Sequence, residues 1–119
     1  MFLLLPMLMA ADGDESYDVA TQITEWKAYA PGLAAPSVES EVNAKATMCA
    51  EKFGVTEFDA LYFNLRFGPL ENTVTLVEPK KQESRAVVRC IREELVVPLQ
   101  GQPQDTRGSV DLIIKIGEE

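Results

Sequence analysis

The sequence predicts an α+β fold, a two-layer sandwich in which helix, strand, strand, helix and strand follow one another. An antiparallel three-stranded sheet is covered on one face by two helices. Three observations lead there. Some stretches alternate apolar and polar residues, as half-buried strands do, while two others repeat apolar residues at helical spacing. Each expected strand has one apolar and one mostly polar face, so helices belong on one side, and water or a partner on the other. At 119 residues, 46% hydrophobic and 25% charged, the chain has the length and composition of one packed domain.

Residues 1–11 read MFLLLPMLMAA, uncharged until Asp12. A bilayer span needs roughly 20 apolar residues, so this run is too short to cross. Its length and its small-residue end fit the hydrophobic region of a signal peptide cleaved near Ala10 or Ala11. The other reading is an apolar arm that packs on the domain or on a partner. Residues 12–36 form an acidic N-terminal extension that opens with Asp12, Asp14, Glu15 and Asp18. These do not make a calcium loop, because Tyr17 and Ile23 stand where the turn glycine and the bidentate glutamate belong. Val19, Ile23, Trp26 and Ala30 recur at helical spacing, which predicts a helix over residues 16–29 with Trp26 as a packing anchor. Pro31-Gly32-Leu33-Ala34-Ala35-Pro36 then reads as a linker.

The domain proper is expected over residues 37–119. Ser37 suits an N-cap, Glu39 and Glu41 suit a helix start, and Val42, Ala46, Cys49 and Phe53 make one apolar face that stops at Gly54. Leu61, Phe63, Leu65 and Phe67 alternate with Tyr62, Asn64 and Arg66 as a strand. Gly68-Pro69 breaks it, and residues 70–77 resume with Val74 and Leu76 inward, as in a hairpin closed by Pro79. Residues 83–96 form the second helix, with Val87, Cys90, Ile91 and Leu95 on its buried stripe. After a polar loop over residues 98–107, Val110, Leu112, Ile114 and Ile116 alternate with Ser109, Asp111, Ile113 and Lys115 in the last strand.

Composition narrows the function. The net charge of -8 repels phosphate backbones and anionic membrane surfaces, so nucleic acid is not an expected partner. The chain has no histidine, which excludes Ser-His-Asp and Cys-His nucleophile systems and His-ligated zinc. Gly68, Gly101 and Gly108 are isolated and form no phosphate loop. The carboxylates Glu57, Asp59, Glu78 and Asp111 show no catalytic spacing, with Asp59 and Asp111 expected on opposite strand faces. The expectation is a non-enzyme without metal or cofactor.

Cys49 and Cys90 fall on the buried faces of the two helices, close enough for a disulfide if the helices pack side by side. In an exported chain an even cysteine count favours that bridge, which would close a loop of about 40 residues and contribute ~3–4 kcal/mol. The alternative is a pair of inert buried thiols.

From Cys49 to Ile116 the chain resembles the TonB C-terminal-like domain, in its gliding-motility (AgmX/PglI-type) variant. The resemblance rests on Cys49 at a helix end, Leu61-Tyr62-Phe63-Asn64-Leu65 before Gly68, Thr73-Val74-Thr75-Leu76-Val77, Val87-Val88-Arg89-Cys90-Ile91 and Val110-Asp111-Leu112-Ile113-Ile114. It implies a non-catalytic periplasmic module that contacts proteins, often through a sheet edge. No membrane anchor or Pro-rich spacer precedes the matching region, so energy transduction is not carried over. The expectation is a periplasmic or secreted cell-envelope adaptor or assembly subunit, with another protein, itself or an envelope complex as partner and no membrane span in the mature chain. Its binding surface is the sheet edge or the exposed face bearing Tyr62, Asn64, Arg66, Ile113 and Lys115, where Ile113 is apolar among polar neighbours. The alternative is a secreted inhibitor-like or small-ligand-binding domain that uses loop 98–107.

Overall fold

The computed structural model describes residues 17–117. Its elements are β1 (Val19–Tyr29), α1 (Ala35–Phe53), β2 (Phe58–Phe67), β3 (Thr73–Glu78), a 3-10 turn (Lys80–Gln82), α2 (Ala86–Val96) and β4 (Arg107–Ile116). The strands pair antiparallel in the order β1-β4-β2-β3. The α+β class holds, and the sheet has four strands where three were expected. The apolar run 1–11 and Asp12, Asp14 and Glu15 lie outside the described residues. Among the described residues no helix is long and apolar enough to cross a membrane.

The added strand is β1, which occupies most of the segment expected as a helix over residues 16–29. A bulge explains the misreading. Ile23 lies opposite Leu112 and Glu25 opposite Asp111, so Thr24 is an extra residue. Before the bulge Val19, Thr21 and Ile23 turn toward the helices, and after it Trp26 and Ala28 do. One inserted residue thus converts a period of two into apolar positions at 19, 23 and 26, which imitate a helical stripe. Because β1 completes the sheet, the domain begins well before residue 37.

α1 also starts earlier than expected. Ala34 is its N-cap without a side-chain bond, and Pro36 lies in the first turn. A proline fits there because its φ is already helical and its missing N–H needs no partner. Ser37 is therefore inside the helix, and the linker shrinks to a turn. At the other end Gly54 adopts φ 65°, while Val55 N–H donates to Ala50 O at 2.9 Å. This is the left-handed stop expected at that glycine.

Leu61, Phe63 and Leu65 of β2 and Val110, Leu112 and Ile114 of β4 form the floor of the core. Val38, Val42 and Ala46 of α1 and Val87, Val88, Ile91 and Leu95 of α2 form its roof. Each buried Val, Leu, Ile or Phe among them contributes ~1.5–3 kcal/mol. Trp26 packs on the rim, its ring 6.4 Å from that of Phe67. Two expectations differ: Phe53, expected on the apolar face of α1, is exposed, and Leu70, expected to begin the second strand, sits in the β2–β3 loop at 81% exposure. That loop is held instead by buried Asn72, whose N–H donates to Val96 O and whose side-chain amide donates to Leu95 O.

Cys49 and Cys90 form a disulfide between α1 and α2, with Cα atoms 5.8 Å apart. Cys49 is fully buried, whereas Cys90 is half-buried, so the expected stripe on α2 carries Val88 in its place. The bridge joins the helix that contacts β1 to the helix that contacts β3.

Candidate interaction surfaces

A four-stranded open sheet has two edges, and each edge strand leaves backbone N–H and C=O groups without a strand partner. At β1 the outward groups follow from the ladder. Gly117 N–H donates to Asp18 O at 2.8 Å, so Asp18 and Gly117 are a bonded pair. Alternation then turns the N–H groups of Val19, Thr21 and Ile23 away from β4. Ile23 N–H donates to Glu39 Oε2 at 2.8 Å, and the Thr21 hydroxyl donates to Asn43 Oδ1 at 2.8 Å. Both acceptors come from α1; Glu39 plugs the edge at the Ile23 N–H, while Asn43 ties the Thr21 side chain to the helix. The bulge at Thr24 and the charged pair Glu25 and Lys27 further unsuit β1 to accept a strand.

β3 carries a bulge of its own, since Tyr62 lies opposite Glu78 and Phe63 opposite Leu76 and Val77 is the extra residue, but it differs in charge and in its outward hydrogen bonds. Outside its ladder with β2, Thr73–Glu78 takes part in no hydrogen bond among the described residues. Its first five residues, Thr73-Val74-Thr75-Leu76-Val77, are uncharged and mostly β-branched, and Val77 is 50% exposed. Roughly three N–H and three C=O groups of a six-residue edge strand face outward.

The residues expected to contact a partner all lie on the helix-free face of the two central strands. Ladder register sets Tyr62 opposite Ile113, Asn64 opposite Asp111 and Arg66 opposite Ser109. Lys115 stands opposite Ala20 of β1. Tyr62, Arg66 and Lys115 are exposed, and Asn64 and Ile113 are half-buried. Ile113 is flanked by Tyr62 on one side and Gln22 on the other, which accounts for its partial cover. Asn64 Nδ2 donates to Asp111 Oδ1 at 2.7 Å, so the two amide and carboxyl groups at the centre of this face are fixed.

Loop 98–107 is tied to the body. Leu99 is buried, Gln102 Nε2 donates to Asn72 Oδ1 at 3.0 Å, and Gln100 N–H donates to both Glu41 carboxylate oxygens at 3.0 and 3.1 Å. Glu39 and Glu41 therefore do not sit in the first turn of α1; both reach out to other segments. The position of β1 reveals this role for Glu39, and the position of loop 98–107 reveals it for Glu41. Asp59 is exposed and accepts from Gln82 Nε2 at 2.8 Å. It lines an open groove with Glu57, Phe58, Lys115 and Gly117. Comparison of the chain with protein-family models, with curated proteins and with solved structures finds no match.

Proposed function

We propose that this chain is a non-catalytic protein-interaction module of the cell envelope, periplasmic or secreted, which binds an extended partner segment along the outer edge of β3. The observation that carries the reading is the asymmetry of the edges. Each edge strand carries one bulge, but β1 is charged and plugged by Glu39, while β3 is uncharged from Thr73 to Val77 and unbonded on its outer side. Strand addition uses such an edge: main-chain hydrogen bonds supply affinity and alternate side chains supply specificity. The resemblance to the TonB C-terminal-like domain agrees with an edge-binding adaptor. The Cys49–Cys90 bridge supports an oxidising compartment, where disulfides form and persist. The way Leu99, Gln100 and Gln102 hold loop 98–107 against the body favours this reading over an inhibitor that projects the loop.

The test is affinity capture from the native host with the wild-type chain and with Val77→Lys, followed by amide hydrogen exchange on the complex. A lysine at an exposed edge is a natural block to strand addition. The expected result is loss of capture by the variant and slowed exchange of the β3 amides in the wild-type complex. Equal capture by both, with β3 exchange unchanged, refutes the edge as the binding site. Mass spectrometry of the native protein tests export, since an intact Met1 rules out cleavage of the N-terminal run.

A further inference from the structure

The helix-free face carries a charge pattern that the β3 edge does not use. Register aligns its side chains in rows across the sheet. One row is Arg66, Ser109 and Lys27, in which two cations flank a hydroxyl. The next is Asn64, Asp111 and Glu25, in which an amide adjoins two carboxylates. The rows are two residues apart on each strand, about 6.8 Å. Beyond the first row Arg107 lies opposite Tyr29, its guanidinium carbon 4.4 Å from the ring centre. Beyond the second lie Tyr62, Ile113 and Gln22.

We propose that this face is self-complementary and docks a second copy of the chain, sheet against sheet, about a two-fold axis. The axis runs across the strands midway between the two rows. Such a rotation reverses the direction along each strand and keeps each strand over its own copy. Lys27 of one copy then faces Glu25 of the other, and Ser109 faces Asp111. Arg66 meets Asn64, within reach of the same Asp111 carboxylate. Arg107 falls over Ile113, adding a stem-on-aliphatic contact to the polar ones. Every such contact occurs twice, because the interface is isologous.

Charge complementarity selects a copy of this chain as the occupant. The donor row needs an acceptor row of the same spacing and width, and the chain itself supplies one. Within one molecule Lys27 Nζ and Glu25 Oε2 are 3.6 Å apart, with both side chains more than half exposed. Solvent weakens that pair in the monomer. In the dimer each lysine lies between two carboxylates. Four strands ~4.8 Å apart and five rows ~6.8 Å apart offer about 500 Å² per copy, or on the order of 1,000 Å² in total. That is the lower end for a specific interface, so the dimer is weak and concentration-dependent. Both β3 edges stay free and lie on the same side of the dimer.

Sedimentation equilibrium on the full chain, at ~0.15 M salt and from ~10 μM to ~1 mM, reads this directly. The wild type should pass from monomer to dimer. Lys27→Glu and Glu25→Lys should each raise the dissociation constant by about tenfold or more. Mixed together, the two variants should recover the dimer, since one copy then presents only carboxylates at these positions and the other only ammonium groups. Recovery also shows that both variants fold. A wild type that stays monomeric at ~1 mM overturns the proposal, as do variants that dimerise alone or a mixture that does not. Val77→Lys should leave the dimer intact; if it abolishes the dimer, the contact lies on β3 and not on this face.

Discussion

β1 and β3 hold equivalent positions in the sheet, each bonded to a neighbour on one side and open on the other. They meet that exposure in opposite ways. On β1 an inserted Thr24 bends the strand, Glu25 and Lys27 charge it, and Glu39 reaches over from α1 to take the Ile23 N–H. β3 also has an inserted residue, Val77, but no side chain plugs its edge and the charge begins only at Glu78. An open edge tends to pair with other chains, and proteins block the edges they do not use. The contrast teaches that the open side of β3 stands out against an edge the same fold has closed. The block also has a structural cost, because it commits one face of α1 to β1 as well as to the core.

The largest effect expected from breaking this arrangement comes from the disulfide, because it ties the plugging helix to the helix over β3. Cys49→Ala with Cys90→Ala releases a loop of sequence separation 41. In the chain-entropy model that costs about 4 kcal/mol. Denaturant unfolding, oxidised against reduced or against the double variant, measures it. If both edges belong to one cooperative unit, the transition stays single and its midpoint falls. A loss below about 1 kcal/mol would mean that the bridge constrains little of the unfolded chain.

Next comes the plug itself. Glu39→Ala leaves the Ile23 N–H without a partner in a half-buried position. A charge-assisted bond of this kind contributes ~1–2 kcal/mol. Glu39→Gln keeps an acceptor and should lose about half as much. The more specific expectation concerns association: with the β1 edge unblocked, the Ala variant should self-associate more than the wild type, as light scattering would show. An Ala variant that loses stability without gaining association would reduce Glu39 to an ordinary tertiary contact.

The two edges were unequally legible in the sequence. β2 and β4 alternate without interruption over residues 61–67 and 109–116, and α1 and α2 bury helical stripes, so the core and the faces could be read from periodicity, while the pairing of Cys49 with Cys90 also rested on the expected export. β3 was readable through Val74 and Leu76, although Leu70 lies outside it because Asn72, not an apolar contact, anchors the loop. β1 was not readable. Its bulge erased the alternation, and Thr21 occupies an inward position where a side chain bonds to Asn43 instead of packing. The consequence reached the candidate site. With a three-stranded sheet, Glu39 looked like a residue of the helix start, and no blocked edge existed to set against β3. Tyr62, Asn64, Arg66, Ile113 and Lys115 share one face of the sheet, which follows from the alternation of the two central strands alone. Their neighbours Glu25 and Lys27, opposite Asp111 and Ser109, are hidden with β1.

The smallest change in stability, and the sharpest test of the comparison, is expected from deleting Thr24. Ile23 opposes Leu112, Glu25 opposes Asp111 and Trp26 opposes Val110. Removing Thr24 therefore leaves every pairing with β4 in place. It also restores plain alternation, with Ile23 and Trp26 inward and Glu25 outward. Trp26 keeps its contact with Phe67, so the deletion should change stability by less than about 1 kcal/mol. What it removes is the bend, together with the hydrogen bond from the Thr24 hydroxyl to Asp111 O at 3.3 Å. The β1 edge becomes regular, and the extra twist that a bulge imposes is lost. If bulge and plug act together to close β1, the deletion alone should raise association slightly, and deletion with Glu39→Ala should raise it by more than the sum of the two. Strict additivity would mean that each blocks the edge independently. No association from either would show that the charges of Glu25 and Lys27 suffice.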